Sequence, residues 1–281
     1  MINDLTRTFT VDDVTLAWDR WGHHAQEHGS TPLFLCHGFS GSSHDFALRI
    51  QPLAERRDVL AADHRGHGRS EKLRSTAMYS LDRLAADLIA LLDSQAGGPV
   101  DLLGHSMGGA ISLRVVLARP DLIRSLILMD TSAWSFVPTD PEIAELMIAF
   151  IDGFDPSGGL PDLSSMEGPE NALIAAAAPA EWHAVKDRMA AAFDPFALKA
   201  LGAQLFHEGT ASVRHRLGEI TCPVTVIVGE LDHPLVDQAA DLAAEVPDGA
   251  HVVIPDAYHS PQLTHPVEWT VAVEEHLARV G

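Results

Sequence analysis

Val100-Asp101-Leu102-Leu103-Gly104-His105-Ser106-Met107-Gly108-Gly109 decides the reading of this chain. Gly97-Gly98-Pro99 bounds it on one side, and a helical pattern from Gly108 to Arg119, stopped by Pro120, follows on the other. The apolar run 100–103 reads as a buried strand, and G-x-S-x-G between a strand and a helix is the pattern of a nucleophile elbow. The turn is tight enough to force its middle residue into strained backbone angles. Gly104 and Gly108 lack side chains because strand and helix approach closely there. Ser106 is thereby expected to lift its hydroxyl above the strand end, at a helix N-terminus that favours negative charge.

Outward from the elbow, short apolar runs alternate with longer helical patterns. Leu5–Phe9 and Val14–Trp18 read as an opening hairpin. Pro32–Cys36, Asp58–Ala62, Ser125–Met129, Val224–Val228 and His251–Ile254 read as further strands. These last runs are apolar throughout rather than alternating, as expected of parallel strands buried on both faces. Between them, Ser80–Gln95 places Leu81, Leu84, Ala85, Leu88, Leu91 and Leu92 on one helical face. Val236–Glu245 and Val267–Val280 are two more helical patterns. Strand–helix alternation of this kind predicts an α/β protein with a mostly parallel, eight-stranded sheet and helices on both faces.

The interval 133–215 breaks the rhythm, since it holds no convincing strand and exceeds any ordinary connection. Pro141–Ile151, Asn171–Ala178, Glu181–Phe193 and Pro195–Glu208 read as helices, separated by the Gly-, Pro-, Asp- and Ser-rich loop 152–169. Its aromatics and methionines require something to pack on. The expected organisation is therefore a core made of 1–132 and 216–281, with a helical cap of 133–215 inserted after the sixth strand.

Composition limits the partners. The 281 residues carry 19 Lys and Arg against 39 Asp and Glu, a formal charge of −20. Nucleic acid and anionic membrane both need a basic face, so neither is expected as a partner. No apolar stretch is long enough to span a bilayer and no signal-peptide pattern opens the chain, so a cytoplasmic location is expected. Cys36 and Cys222 sit in apolar runs and read as buried reduced thiols. No P-loop, dinucleotide fingerprint, H-E-x-x-H or paired C-x-x-C occurs, so neither cofactor nor metal is expected. The cluster His23, His24 and His28 reads as solvated.

Four further stretches accompany the elbow: His37-Gly38-Phe39 after the third strand; Asp63-His64-Arg65-Gly66-His67-Gly68-Arg69-Ser70 after the fourth; Gly229-Glu230-Leu231-Asp232-His233-Pro234 after a late strand; and Tyr258-His259-Ser260-Pro261 after the last. In this order they resemble a capped serine hydrolase of the α/β-hydrolase superfamily, and the likeness covers nearly the whole chain. The resemblance implies the chain order nucleophile, acid, histidine, here Ser106, Asp232 and His259. Tyr258 departs from the glycine that often precedes the histidine. The resemblance also implies backbone N–H groups of Phe39 and Met107 as the two oxyanion donors. It implies a structural Asp–Arg turn for the loop 63–70, with His64 and His67 outside the chemistry. Asp130 is the alternative acid, because Leu126–Met129 also ends a strand on the same sheet edge.

Serine at the elbow argues against haloalkane dehalogenases and epoxide hydrolases, which use aspartate there. The expected reaction is two-step acyl transfer to a small-molecule carboxylic ester. A lactone is the first alternative and a carbon–carbon bond of a vinylogous diketone the second. The latter is disfavoured by His105 and Ser260, where such enzymes commonly carry Asn and Trp. A ligand receptor on the same fold is the non-enzymatic alternative. Candidate pocket residues are His37, Gly38, Trp134, Phe136, Met147, Phe150 and Trp182. Asp140, Glu142, Glu145, Asp152, Asp155 and Asp162 would repel anionic substrates if they faced the entrance.

Overall fold

The computed structural model describes residues 6–22, 30–161, 168–207 and 212–281. Leu5, His23, His24, His28, Asp162 and Glu208, which entered the sequence reading, lie outside them. Eight strands form one sheet: β1 Arg7–Val11, β2 Val14–Trp21, β3 Leu33–Cys36, β4 Val59–Ala62, β5 Val100–His105, β6 Ile123–Met129, β7 Val224–Gly229 and β8 Gly249–Ile254, in the order β1-β2-β4-β3-β5-β6-β7-β8. The β1–β2 and β2–β4 pairs are antiparallel and every other pair is parallel. β5 and its elbow therefore lie in the interior of the sheet, with β6 and β7 following on one side.

Helices α1 Ala47–Ala54, α2 Leu81–Gln95 and α3 Met107–Ala118 flank the first half. The apolar period read from the sequence is the buried face of α2, and the Ser80 side chain caps it by accepting from Arg83 N–H. α8 Leu235–Ala244 joins α2 and α3 over one sheet face, while α1 and α10 Pro266–Arg279 cover the other. One expectation fails at the sheet edge. The apolar run predicts β8 buried on both faces, yet its residues are mostly exposed or half-buried, because among the described residues no strand pairs beyond it. Helix α1 is only eight residues long and contains Pro52, which reads as a stop, so sequence patterning passes over it. A short helix, α9 Pro261–Thr264, immediately follows the last motif.

Between β6 and β7 the chain forms α4 Pro141–Gly153, α5 Pro169–Ala177, α6 Ala180–Ala191 and α7 Pro195–Phe206. Named contacts tie these helices to the connections that follow β3 and β4. Trp182 Nε1 donates to His44 O at 3.2 Å, and His44 Nε2 bonds Trp182 O at 2.9 Å. Lys186 Nζ meets Asp45 Oδ1 at 2.5 Å. Asp194, which caps α7, accepts from the Tyr79 hydroxyl at 2.6 Å. Among the described residues no helix is long and apolar enough to cross a membrane. Cys36 and Cys222 are both buried and free, and burial pushes the Cys36 thiol up to about 12.

Candidate active site

The elbow is built by collision avoidance. Ser106 sits at φ 55° and ψ −123°, a conformation that L-residues rarely adopt. A Cβ on Gly108 would come within 2.2 Å of Cys36 O, so helix α3 can approach β3 only through a glycine. Three bonds over-determine the turn. Ser106 N–H donates to Met129 O at 2.9 Å, the Thr131 hydroxyl donates to Ser106 O at 2.6 Å, and Gly109 N–H donates to the same oxygen at 2.8 Å. The turn after β3 closes over this point: a Cβ on Gly38 would lie 3.1 Å from Ser106 Cβ. Met107 opens α3, where the first N–H groups have no intrahelical partner.

Loops after β7 and β8 bring Asp232 and His259 to the same sheet end. His259 Nδ1 and Asp232 Oδ2 are 2.8 Å apart. Burial pushes the imidazole pKa down, but the Asp232 charge and hydrogen bond, with a smaller push from Glu170, hold it above its usual value. Burial raises Asp232, and His259 outweighs it, so that carboxyl stays below its ordinary range. His105 is also part of this corner. Its Nε2 bonds His259 O at 2.7 Å and the two rings lie 4.8 Å apart. Burial, helped by the nearby His259, lowers His105 to about 3, so it acts as a neutral donor.

Asp130 follows β6 with φ 45° and is fully buried. Its Oδ1 accepts from Gly229 N–H at 2.8 Å, while Oδ2 is buried without a hydrogen-bond partner. Polar atoms of Asp130, Asp232 and His259 lie within 4.8 Å of one another. Burial and the Asp232 charge raise the Asp130 pKa well above the carboxylate range. A proton on Asp130 then relieves the repulsion between two buried carboxyls. The spacing of the trio would admit a cation, but burial disfavours ionisation of Asp130 and the imidazole already faces Asp232, a poor donor set for a metal.

Two cavities meet at Ser106 and His259. A cleft of about 800 Å³ runs beneath α5 and α6, lined by Gly38, Phe39, Asp45, Asn171, Trp182, His183, Lys186 and Asp187 among others. A pocket of about 270 Å³ on the other side is walled by Phe39, Phe136, Pro138, Met147, Leu205 and Phe206. Of the expected pocket residues, Gly38, Trp182, Phe136 and Met147 line one or the other. Three do not. His37 is fully buried behind the elbow, accepting from His64 N–H at 3.0 Å with its ring 4.2 Å from that of His64. Trp134 packs under the Arg214 guanidinium at 4.0 Å, and Phe150 stacks on Phe154. Helical and loop spacing places these rings near the site in sequence but turns them into the packing. Asp140, Glu142, Glu145, Asp152 and Asp155 line neither cavity; the acids that do are Asp45, which meets Lys186, and Asp187 in the cleft, and Asp232 in the smaller pocket.

The loop 63–70 is a turn in which the Asp63 carboxylate lies 4.0 Å from the Arg69 guanidinium. Asp63 organises backbone, accepting from Ser43 N–H and Arg69 N–H, whereas Arg65 reaches α2 and binds Asp87 at 2.5 Å through Nε and Nη2. Glu170 is a site neighbour that sequence reasoning does not single out, and His105 enters there only as the residue before the nucleophile, not as a partner of His259. His105 had a signal in its place within the elbow; Glu170 had none.

A mostly parallel sheet with a strained serine elbow and an Asp–His pair on the following loops defines a class of α/β hydrolases. Residues 31–266 match the family described as alpha/beta hydrolase fold, and the chain belongs to it. Among relatives, it is 29% identical over 267 residues to the Pseudomonas syringae pv. syringae protein named "Putative carbamate hydrolase RutD", covering 91% of this chain and 97% of that one. It is 36% identical over 128 residues to "Uncharacterized hydrolase YugF" of Bacillus subtilis, a match spanning 46% of this chain and 45% of that protein. The enol-lactonase from Burkholderia xenovorans LB400 shares the fold with a TM-score of 0.78 at 19% identity, over 97% of this chain and all of that one, 100%.

Proposed function

We propose that the protein is a serine hydrolase cleaving carboxylic esters of small or medium size, with Ser106 as nucleophile, His259 as general base and Asp232 as the acid. The observation that carries this reading is the His259–Asp232 pair at 2.8 Å on the edge of the cleft that holds the strained Ser106. Residues 133–215 act as a cap over a core of 1–132 and 216–281, and α5 and α6 roof the cleft.

Asp232 engages Nδ1, which leaves Nε2 free to take a proton. Ser106 Oγ attacks the ester carbonyl as His259 Nε2 removes its hydrogen. Backbone N–H groups of Phe39 and Met107 receive the oxyanion; one such donor is worth about 2.7–4 kcal/mol of barrier. The alcohol departs with the proton from Nε2. Water then attacks the acyl-enzyme, gives its proton to the same nitrogen, and the acid is released with Ser106 restored. The apolar pocket of about 270 Å³ suits one end of the substrate and the half-polar cleft of about 800 Å³ the other.

The test is hydrolysis of p-nitrophenyl esters of increasing acyl length, with Ser106→Ala as the blank. Ser106-dependent turnover with a chain-length optimum is expected, and the variant should lose several orders of magnitude in kcat with its fold intact. Full activity in Ser106→Ala would remove the nucleophile assignment. Lactones and carbamates belong in the same panel.

A further inference from the structure

The peptide unit between His259 and Ser260 is held at both of its polar ends. Its carbonyl oxygen, that of His259, is bonded by His105 Nε2 at 2.7 Å, from the elbow. Its N–H, that of Ser260, donates to Glu170 Oε1 at 2.5 Å, from the first turn of α5. One partner belongs to the sheet and the other to the insertion. The unit being held carries the proposed base, whose ring orientation follows from that peptide plane.

We propose that Glu170 is a positioning residue for His259: it clamps the following peptide from the insertion side and places a second carboxylate beside the imidazole. The inference rests on His259 being the general base. Two lines of geometry support it beyond the single bond. Helix α5 packs against α9, which begins right after Ser260, so the contact is part of an interface. Gly168, Asn171, His259 and Ser260 line the same cleft as Ser106, so the N-terminal turn of α5 reaches the reacting centre.

The electrostatic consequence has a definite sign. The groups facing His259 are Asp232 after β7, Asp130 after β6, His105 from β5 and Glu170 from α5; Asp45, His183, Lys186 and Asp187 lie further along the cleft. Burial pushes Glu170 upward in pKa, while His259 and the Ser260 N–H favour its charged form. Its charge favours the imidazolium, and only the neutral imidazole can take the serine proton. Removing that charge must move the acid limb of kcat/KM to lower pH.

Glu170→Gln keeps an acceptor for Ser260 N–H but loses the charge; Glu170→Ala loses both. With a p-nitrophenyl ester, Glu170→Gln should keep kcat within about threefold at the plateau and shift the acid limb down. Glu170→Ala should show the same shift and lose roughly tenfold or more in kcat, with KM within about twofold, as expected for a lost charge-assisted bond. Profiles of both variants that superimpose on wild type would overturn the proposal, as would an unmoved limb with losses equal in the two. The charge effect is also read without turnover, from the His259 ring resonance in an NMR pH titration, assigned by its loss in His259→Gln. Fluorophosphonate labelling of Ser106 keeps the two claims apart. An unlabelled wild type would remove the hydrolase reading, while the titration would still decide whether Glu170 acts on His259.

Discussion

Exchanging each of the two buried acids for its amide separates their roles. In Asp232→Asn the side-chain amide offers N–H to His259 Nδ1, so the ring must carry its hydrogen on Nε2, the nitrogen that should accept from Ser106. A loss of about 10⁴ in kcat is expected, or about 5.4 kcal/mol of barrier. In Asp130→Asn the change is isosteric with the protonated acid. The amide oxygen can keep the 2.8 Å bond from Gly229 N–H, and the amide nitrogen takes the place of Oδ2 near Asp232 without adding a charge. kcat should stay within about threefold, less than about 0.7 kcal/mol. A stability measurement checks the protonation itself. The folded pKa of Asp130 is raised well above 3.8, so its stability contribution is full below the unfolded pKa and is lost as pH rises toward the folded one. Across that window the slope is up to about 1.4 kcal/mol per pH unit, and Asn has none of it. Urea midpoints measured upward from pH 4 should therefore show Asp130→Asn gaining on wild type until the folded pKa of Asp130 is passed. A constant difference over that range would refute the neutral acid. A 10³-fold loss in Asp130→Asn beside near-normal Asp232→Asn would move the catalytic acid to residue 130.

Two further substitutions probe the frame and the pocket. Arg65→Met strands the buried Asp87 carboxylate, whose partner is 2.5 Å away, and should cost about 3–5 kcal/mol by urea denaturation, with part recovered in Arg65→Met/Asp87→Leu. No recovery in the double variant would mean the loss comes from packing rather than from the uncompensated charge. Met147→Trp fills the smaller pocket of about 270 Å³, so the chain-length optimum should move to shorter esters while turnover of the shortest persists; an unchanged optimum would place that chain elsewhere.

How far the sequence could be read follows the range of the forces involved. Strand runs and the face of α2 were legible because burial leaves a local mark, a continuous apolar run in a strand and a 3.6-residue period in a helix, and the strands found agree with those runs to within a few residues. Where neighbours rather than period decide, reading failed. β8 is as apolar in composition as its partners but is an edge, a property of sheet order and not of residues 249–254. Helix α1 is held by packing of Ile50 and Leu53 in spite of Pro52. Trp134 and Phe150 carry pocket-forming side chains, and their direction depends on Arg214 and Phe154.

The same division runs through the site. A glycine-framed serine is legible because the close approach at Gly108 is forced within five residues. The two acids were legible as candidates, since both end strands on one sheet edge, but the distinction between them is a property of the pair. Asp232 faces the imidazole, and its charge, with burial, is what makes ionisation of Asp130 costly. Glu170 lies on the opposite side of legibility, because its contact with Ser260 spans 90 residues and joins the insertion to the last loop. A carboxylate at the first turn of a helix has an ordinary reason to be there, favouring the helix dipole, and that reason hides the second one. Sequence can nominate the groups that perform a reaction. The peptide unit held between His105 and Glu170 is set by tertiary docking, and only the folded chain brings its two partners together.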